Sequence, residues 1–406
     1  MKFYMSFFTL LIFYSISYSQ TIDWYASANP LGLQANSVQY SADGLKVLSG
    51  TDCHPAKIRI YSSLNGNLEW DYTVSSNLLC IMGVGFGSNG KHIAAIEEFG
   101  NLLIFDNTTS PPDSINSISI GTTYAFSLDF SPNNKKIAIG ANSGKLIICS
   151  IDSGTVLHSV NAHNNWVTTL SYDPNNQFLV TGGSDFTVKI WDTTGVNKGT
   201  LIGHTGHLTK VLVSNDGSKI YSSSKDNTVK IWDVATKSLL RTIYVSNSDV
   251  NAIALSPSND HLVTVSSDSI IRIYETAMGQ KIDSIFEPNQ GYGLCVDWSS
   301  SLNQIAVGTV KGKVVAYSVQ NIVSIMEEKQ SPTIILFPNP VESNQTIYFN
   351  SDSPVGSIKL IDITGKEHPI DFNSTEIQLP NSLKKGTYFI EFNSNRKLIT
   401  KKIIIQ

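Results

Sequence analysis

GHTGHLTKVLVSNDGSKIYSSSKDNTVKIWD, residues 203–233, decides the fold. A first short strand ends in the tight turn Ser214-Asn215-Asp216-Gly217, and a second strand follows. A second turn then leads into an apolar strand that carries Trp232. Asn, Asp and Gly tolerate the left-handed backbone that a hairpin turn needs, and Pro pre-sets φ. The same grammar extends in both directions. Its turns are SADG (41–44), GSNG (87–90), SPNN (131–134), DPNN (173–176) and SPSN (256–259), with a looser SSSLN at 299–303. The strand-end aromatic recurs as Tyr61, Phe105, Trp191, Trp232, Tyr274 and Tyr317, and Cys149 holds the third slot. Successive spacings are 44, 44, 42, 41, 42 and 43 residues. No window in this region has a 3.6-residue period of helical length.

A weaker fourth strand completes each unit. Four short antiparallel strands per roughly 40–45 residues make a propeller blade, which buries its faces only by stacking on neighbours. Seven units close a ring and remove exposed edges. Little strand is left after Tyr317, whereas TIDWYASAN (21–29) resembles the fourth strand of the first unit, GNLEWDYTVSSN (66–77). Ile22–Ala26 is therefore expected to supply the outer strand of the seventh blade. The expected fold class is all-β: a seven-bladed β-propeller followed by a small β-sandwich C-terminal domain.

Residues 203–233, and VNAHNNWVTTLSYDPNNQFLVTGGSDFTVKIWD (160–192), closely resemble WD repeats. The resemblance runs from 22 to about 320 and weakens in the outer blades, which lack both Gly-His and Trp-Asp. It implies a buried hydrogen-bonded tetrad in two blades: His163–Asp185–Thr181–Trp191 and His204–Asp226–Ser222–Trp232. A sixth-blade version keeps Thr264, Asp268 and Tyr274 without the His. Ser, His and Asp together also suggest a catalytic triad. Against that, no nucleophile elbow or oxyanion-hole signature occurs, and the arrangement repeats with the period. No catalytic residue is assigned.

The resemblance also implies where a ligand would sit: on the face where inter-blade loops surround the channel, at the residue just before each innermost strand. Counting back six from Tyr40, Phe86, Phe130, Tyr172, Val213, Leu255 and Trp298 gives Gln34, Cys80, Tyr124, Trp166, His207, Asp249 and Tyr292. Phe186 on a neighbouring hairpin adds another aromatic. Aromatics beside adaptable polar groups suit recognition of protein or glycan. The competing class is an extracellular propeller enzyme, a hydrolase or lyase with its site at the central channel. Such enzymes cluster acids, His or a metal there, whereas only Asp249 is acidic and only His207 basic among the rim positions.

The chain of 406 residues has 29 Lys+Arg against 33 Asp+Glu, a net charge of −4, so no basic excess exists for nucleic acid. The 8 His show no metal-ligand pairing and no acidic loop has Ca²⁺ spacing, so neither metal nor cofactor is expected. Four Cys are too few for a disulfide scaffold. Cys149 and Cys295 sit on apolar strands and are expected in the core. The resemblance puts Cys53 and Cys80 on loops of one face, as a disulfide or as free thiols.

Both ends read as addresses. MKFYMSFFTLLIFYSISYSQ has a positive Lys2, an apolar stretch shorter than the roughly 20 residues of a membrane span, and small Ser17 and Ser19 before Gln20. This is a secretory signal peptide, 1–19. Residues 320–332 break the period and read as a linker between the 20–319 propeller and a 333–406 alternating β pattern. The tail carries Phe337-Pro338-Asn339-Pro340, Ile361-Asp362-Ile363-Thr364-Gly365-Lys366, Gly386-Thr387-Tyr388 and Lys401-Lys402-Ile403-Ile404-Ile405. In order and spacing these resemble the C-terminal sorting domain of type IX secretion cargo, as six or seven strands. The resemblance implies passage through the outer membrane by its secretion machinery, and a secreted or cell-surface protein. The expected function is non-catalytic binding or scaffolding.

Overall fold

Gly44, Gly90, Asn134, Asn176, Gly217 and Asn259, the last residues of six turns quoted above, have φ between 55° and 72°. The chain reverses there because Gly and Asn accept that backbone at little cost. The structure is a computed structural model. It describes residues 22–27, 34–51, 55–74, 80–121, 124–286, 288–319, 334–337, 341–342, 345–351, 355–373, 375–394 and 397–405. The expected signal peptide 1–19, the expected linker 320–332, Cys53 and Pro338-Asn339-Pro340 lie outside the described residues.

Each repeat folds into one four-stranded antiparallel sheet. In blade 5 the strands are Leu208–Val213, Lys219–Ser224, Thr228–Asp233 and Leu239–Tyr244. Seven such sheets occur among the described residues of the repeat region. Their first strands pack against one another in turn, and the seventh packs on the first, so the ring is closed. The seventh sheet takes its outer strand from the other end: Ile22–Ser27 pairs antiparallel with Lys313–Ser318, Ala26 opposite Val314. The expectation for Ile22–Ala26 is met. Trp24 of that strand is buried and its Nε1 donates to Ser63 O in blade 1 at 2.6 Å.

The core lies between blades. Val180, Val188, Ile190 and Leu201 of blade 4 pack on Leu208, Val211, Val213 and Trp232 of blade 5. Cys149 is buried, as expected, and Cys295 is half-buried; both are free, and burial pushes each thiol up to about 12. Cys80 is disulfide-bonded. Its Sγ rests 3.1 Å from Glu98 Oε2, a contact without a proton because a disulfide sulfur carries none.

The chain divides into two units, 1–320 and 321–406. Among its described residues the second unit has two four-stranded sheets. One orders Ile334–Phe337, Thr346–Ser351, Glu376–Gln378 and Asp371–Phe372; the other orders Glu367–His368, Val355–Asp362, Gly386–Ser394 and Lys397–Ile405. Both sheets feed one core, with Ile347 and Ile377 from the first and Leu360, Ile390, Phe392 and Ile403 from the second. The eight strands exceed the six or seven expected, because two of them have only two residues.

Candidate functional site

Both tetrads are assembled. In blade 5, Trp232 Nε1 donates to Ser222 Oγ at 2.8 Å, leaving the hydroxyl proton for His204 Nε2, also at 2.8 Å. The imidazole proton then faces Asp226 Oδ2 from Nδ1 at 2.7 Å. In blade 4 the matching distances are 2.9 Å from Trp191 to Thr181, 2.7 Å from His163 to Thr181 and 2.8 Å from His163 to Asp185. Thr228 and Thr187 each add a bond to the carboxylate. Burial opposes ionisation of Asp226, but the His204 and Thr228 bonds outweigh it and hold the carboxyl well below its usual range. Burial depresses His163 despite Asp185. The relay has a triad's connectivity, but Thr181 and Ser222 are fully buried and a Trp N–H occupies each hydroxyl oxygen. In blade 6, where Ser246 holds the His slot, Asp268 pairs with Arg272 of the third strand through two nitrogens at 3.1 and 2.6 Å.

The rim positions are equivalent in hydrogen bonding. The carbonyls of Cys80, Tyr124, Trp166, His207, Asp249 and Tyr292 accept from the N–H groups of Glu98, Asn142, Ser184, Lys225, Ser267 and Val310, each 18 residues on. Tyr124, Trp166 and His207 are exposed; Gln34, Asp249 and Tyr292 are half-buried and Cys80 is buried. Neighbouring rings join them. Phe99 meets Tyr124 at 5.6 Å between centroids, Phe126 meets Trp166 at 5.2 Å, and Phe186 meets His207 edge-on at 5.3 Å. His207 Nδ1 donates to Ser184 O at 3.0 Å, and Ser184 N–H donates to Trp166 O, so Trp166 and His207 flank one backbone group. Among the described residues Gln34, Asp249 and Tyr292 make no ring contact with these three pairs; Asp249 pairs with Lys225 at 4.0 Å.

Phe186 stands at φ +67°. Its counterparts, each 20 residues after a rim position, are Gly100, Gly144, Asn227, Ser269 and Gly312, also at positive φ. A bulky L-residue in that region costs roughly 1–2 kcal/mol.

The central channel encloses about 490 Å³. Lys210, Asp129 and Asp297 line it, from blades 5, 3 and 7. Burial pushes Asp129 and Asp297 up to about 6, against the pull of a backbone N–H and of Lys210. Each carboxylate caps the neighbouring blade: Asp129 Oδ2 accepts from Tyr172 N at 2.8 Å and Asp297 Oδ2 from Tyr40 N at 2.7 Å. The sequence reading missed this pair. The signal was the residue immediately before the strand-end aromatics Phe130 and Trp298. No group of three metal-ligating side chains occurs among the described residues.

In the tail, Gly365 at φ +86° closes a turn in which Asp362 Oδ1 accepts from Thr364 N at 2.9 Å and Lys366 N at 3.2 Å. Tyr388 is buried, and its hydroxyl donates to Lys384 O at 3.0 Å. Gly386 opens the Gly386–Ser394 strand, and Lys401 and Lys402 pair opposite Ile390 and Phe389.

Comparison with known families agrees with both halves. The family described as WD domain, G-beta repeat matches residues 154–192, 195–233 and 237–275. The secretion system C-terminal sorting domain matches 335–406. The chain thus carries WD repeats and a type IX sorting domain. Among curated proteins it is similar to autophagy-related protein 16 of Arabidopsis thaliana, 26% identical over 50% of this chain and 41% of that protein. It is 30% identical to small ribosomal subunit protein RACK1 of Neurospora crassa over 39% of this chain and 53% of that one. A guanine nucleotide-binding protein subunit beta of Arabidopsis thaliana is 29% identical over 49% and 56%. The matched segments span about half the length of these relatives.

Proposed function

We propose that this chain is an exported, non-catalytic binding or scaffold protein. Residues 20–319 present a rigid propeller face to a protein or glycan, and 333–406 direct outer-membrane passage after the 1–19 signal peptide is removed. The observation that carries the binding reading is the exposed aromatic rim at equivalent positions of consecutive blades, held by a repeated backbone bond. The buried tetrads supply rigidity beneath it. The sorting-domain match supports surface delivery.

The test of binding is a Trp166→Ala, Tyr292→Ala double variant, compared with wild type for a partner captured from medium and cell envelope. Loss of capture with unchanged melting is expected; equal capture by a normally folded variant sinks the reading. Fusion of 333–406 to an exported reporter tests delivery, which should depend on the type IX machinery. One observation favours the alternative, an extracellular hydrolase or lyase: Asp129 and Asp297, both near pKa 6, line one cavity. Turnover of a candidate substrate that is lost in Asp129→Asn would decide for it.

A further inference from the structure

Three ring pairs follow one another around the rim of blades 2–5 as an arc, every ring but Phe126 exposed. Phe99 meets Tyr124, Phe126 lines the channel and meets Trp166, and Phe186 closes on His207. We infer that this arc is a platform for a neutral oligosaccharide. The inference rests on the top-face reading above and names the ligand class.

Ring geometry is the first support. Trp166 is 49% exposed, Phe99 49%, Phe186 39% and Tyr124 37%. Each packs against one aromatic partner, which fixes its plane while leaving much of the ring to solvent. The π-face of an aromatic ring is negative. The C–H face of a pyranose is weakly positive and flat, so the two match in charge and shape.

The second support is what the arc omits. Its six side chains include no carboxylate, ammonium or guanidinium, and no Leu, Ile or Met. Cores of protein interfaces favour Met and Arg beside aromatics. Beside Trp166 in the chain stand the exposed side-chain amides Asn164 and Asn165, and Asn165 Oδ1 accepts from Trp166 N–H at 2.8 Å. An amide both donates and accepts, as a sugar hydroxyl does. The Lys225–Asp249 pair bounds one end of the arc.

Phe186 is the third. Five equivalent turns place Gly, Asn or Ser at this left-handed position. A half-exposed Phe there gives up stability that Gly would keep, the mark of a residue held for contact with something outside the chain.

The experiment uses the full chain with cellohexaose, mannohexaose, chitohexaose and laminarihexaose, an alginate oligomer as charged control, and a random peptide array. Trp fluorescence and calorimetry follow binding. A neutral hexaose should bind with a blue shift, weaken about tenfold or more in Trp166→Ala and in Phe186→Gly, and stay within about threefold in Trp166→Phe. Phe186→Gly should melt no lower than wild type, which separates contact from folding. Peptide binding that depends on Trp166, with no hexaose bound, overturns the glycan inference and leaves the top-face reading standing. Binding of any probe unaffected by Trp166→Ala and Phe186→Gly overturns both. Alginate preference, or no hexaose binding at all, overturns the neutral-glycan assignment.

Discussion

Blades 3 and 5 have the same strand register but opposite interiors. Ile137 pairs with Cys149 in blade 3, and Ile220 pairs with Trp232 in blade 5. Around Trp232 lies a hydrogen-bonded chain of His204, Asp226 and Ser222; around Cys149 the neighbours are Ile139, Ile147 and Ile151, all apolar. The difference shows that backbone pairing and turn chemistry set the blade, while its interior is filled in either of two ways. A polar interior demands complete satisfaction, because each buried group left unpaired costs about 1–3 kcal/mol. An apolar interior demands only volume.

The contrast is broken most severely at Trp232. Trp232→Ala should lose about 3–5 kcal/mol, from a large cavity and one lost bond to Ser222, whereas Cys149→Ala should lose about 1–2 kcal/mol. Urea melts of both variants check this; equal losses would mean that the polar chain adds nothing to its blade. Next is His204→Ala, expected to cost about 2–3 kcal/mol while ligand affinity moves by less than about threefold. Unchanged melting with abolished binding would turn the tetrad into a site.

The channel carboxylates sharpen the comparison, since their polar burial is incompletely compensated. Asp297 sits near pKa 6 when folded, above its unfolded value. Between roughly pH 4 and 6 the folded chain holds a proton that the unfolded chain has released, so stability falls as pH rises through that window. The penalty is complete above about pH 6. Asp297→Asn keeps an acceptor for Tyr40 N and should gain about 1–2 kcal/mol at pH 8 and almost nothing at pH 4. Asp185 and His163 act in the opposite sense: both are depressed in the fold, so their contributions fade on acidification. Melts of wild type and variant across pH isolate the channel effect by difference. The smallest effect expected is at Phe186: Phe186→Gly should stabilise by about 1 kcal/mol by relieving the left-handed backbone.

What the sequence showed was whatever repeats. The turns with Gly44 or Asn176, the spacing of Trp191 and Trp232, and the return of Ile22–Ser27 into blade 7 all follow from a unit copied seven times. Both tetrads were legible through the resemblance of residues 160–192 and 203–233 to WD repeats. The channel acids were not, because their strand position holds Gln39, Gly85, Asp129, Ser171, Leu212, Ala254 and Asp297 in successive blades. Their burial is created only when seven strands face one cavity. The strain at Phe186 lay within reach, since aligning each rim residue with the one 20 positions later exposes the lone aromatic. In the tail, Glu367–His368 and Asp371–Phe372 are too short to show alternation.

The seam between blades 7 and 1 has a consequence for the order of assembly. Gln304 Nε2 donates to Asp23 Oδ2 at 2.8 Å across 281 residues of chain, and Gln304 Oε1 accepts from Tyr40 OH at 2.8 Å. Bringing such distant points together costs about 5 kcal/mol of chain entropy before any contact returns it. The strand that leaves the ribosome early thus waits, unpaired, for the clasp that arrives near the end of the repeats. Until that clasp forms the ring has no closure, and the sheet edges on either side of the seam lie open.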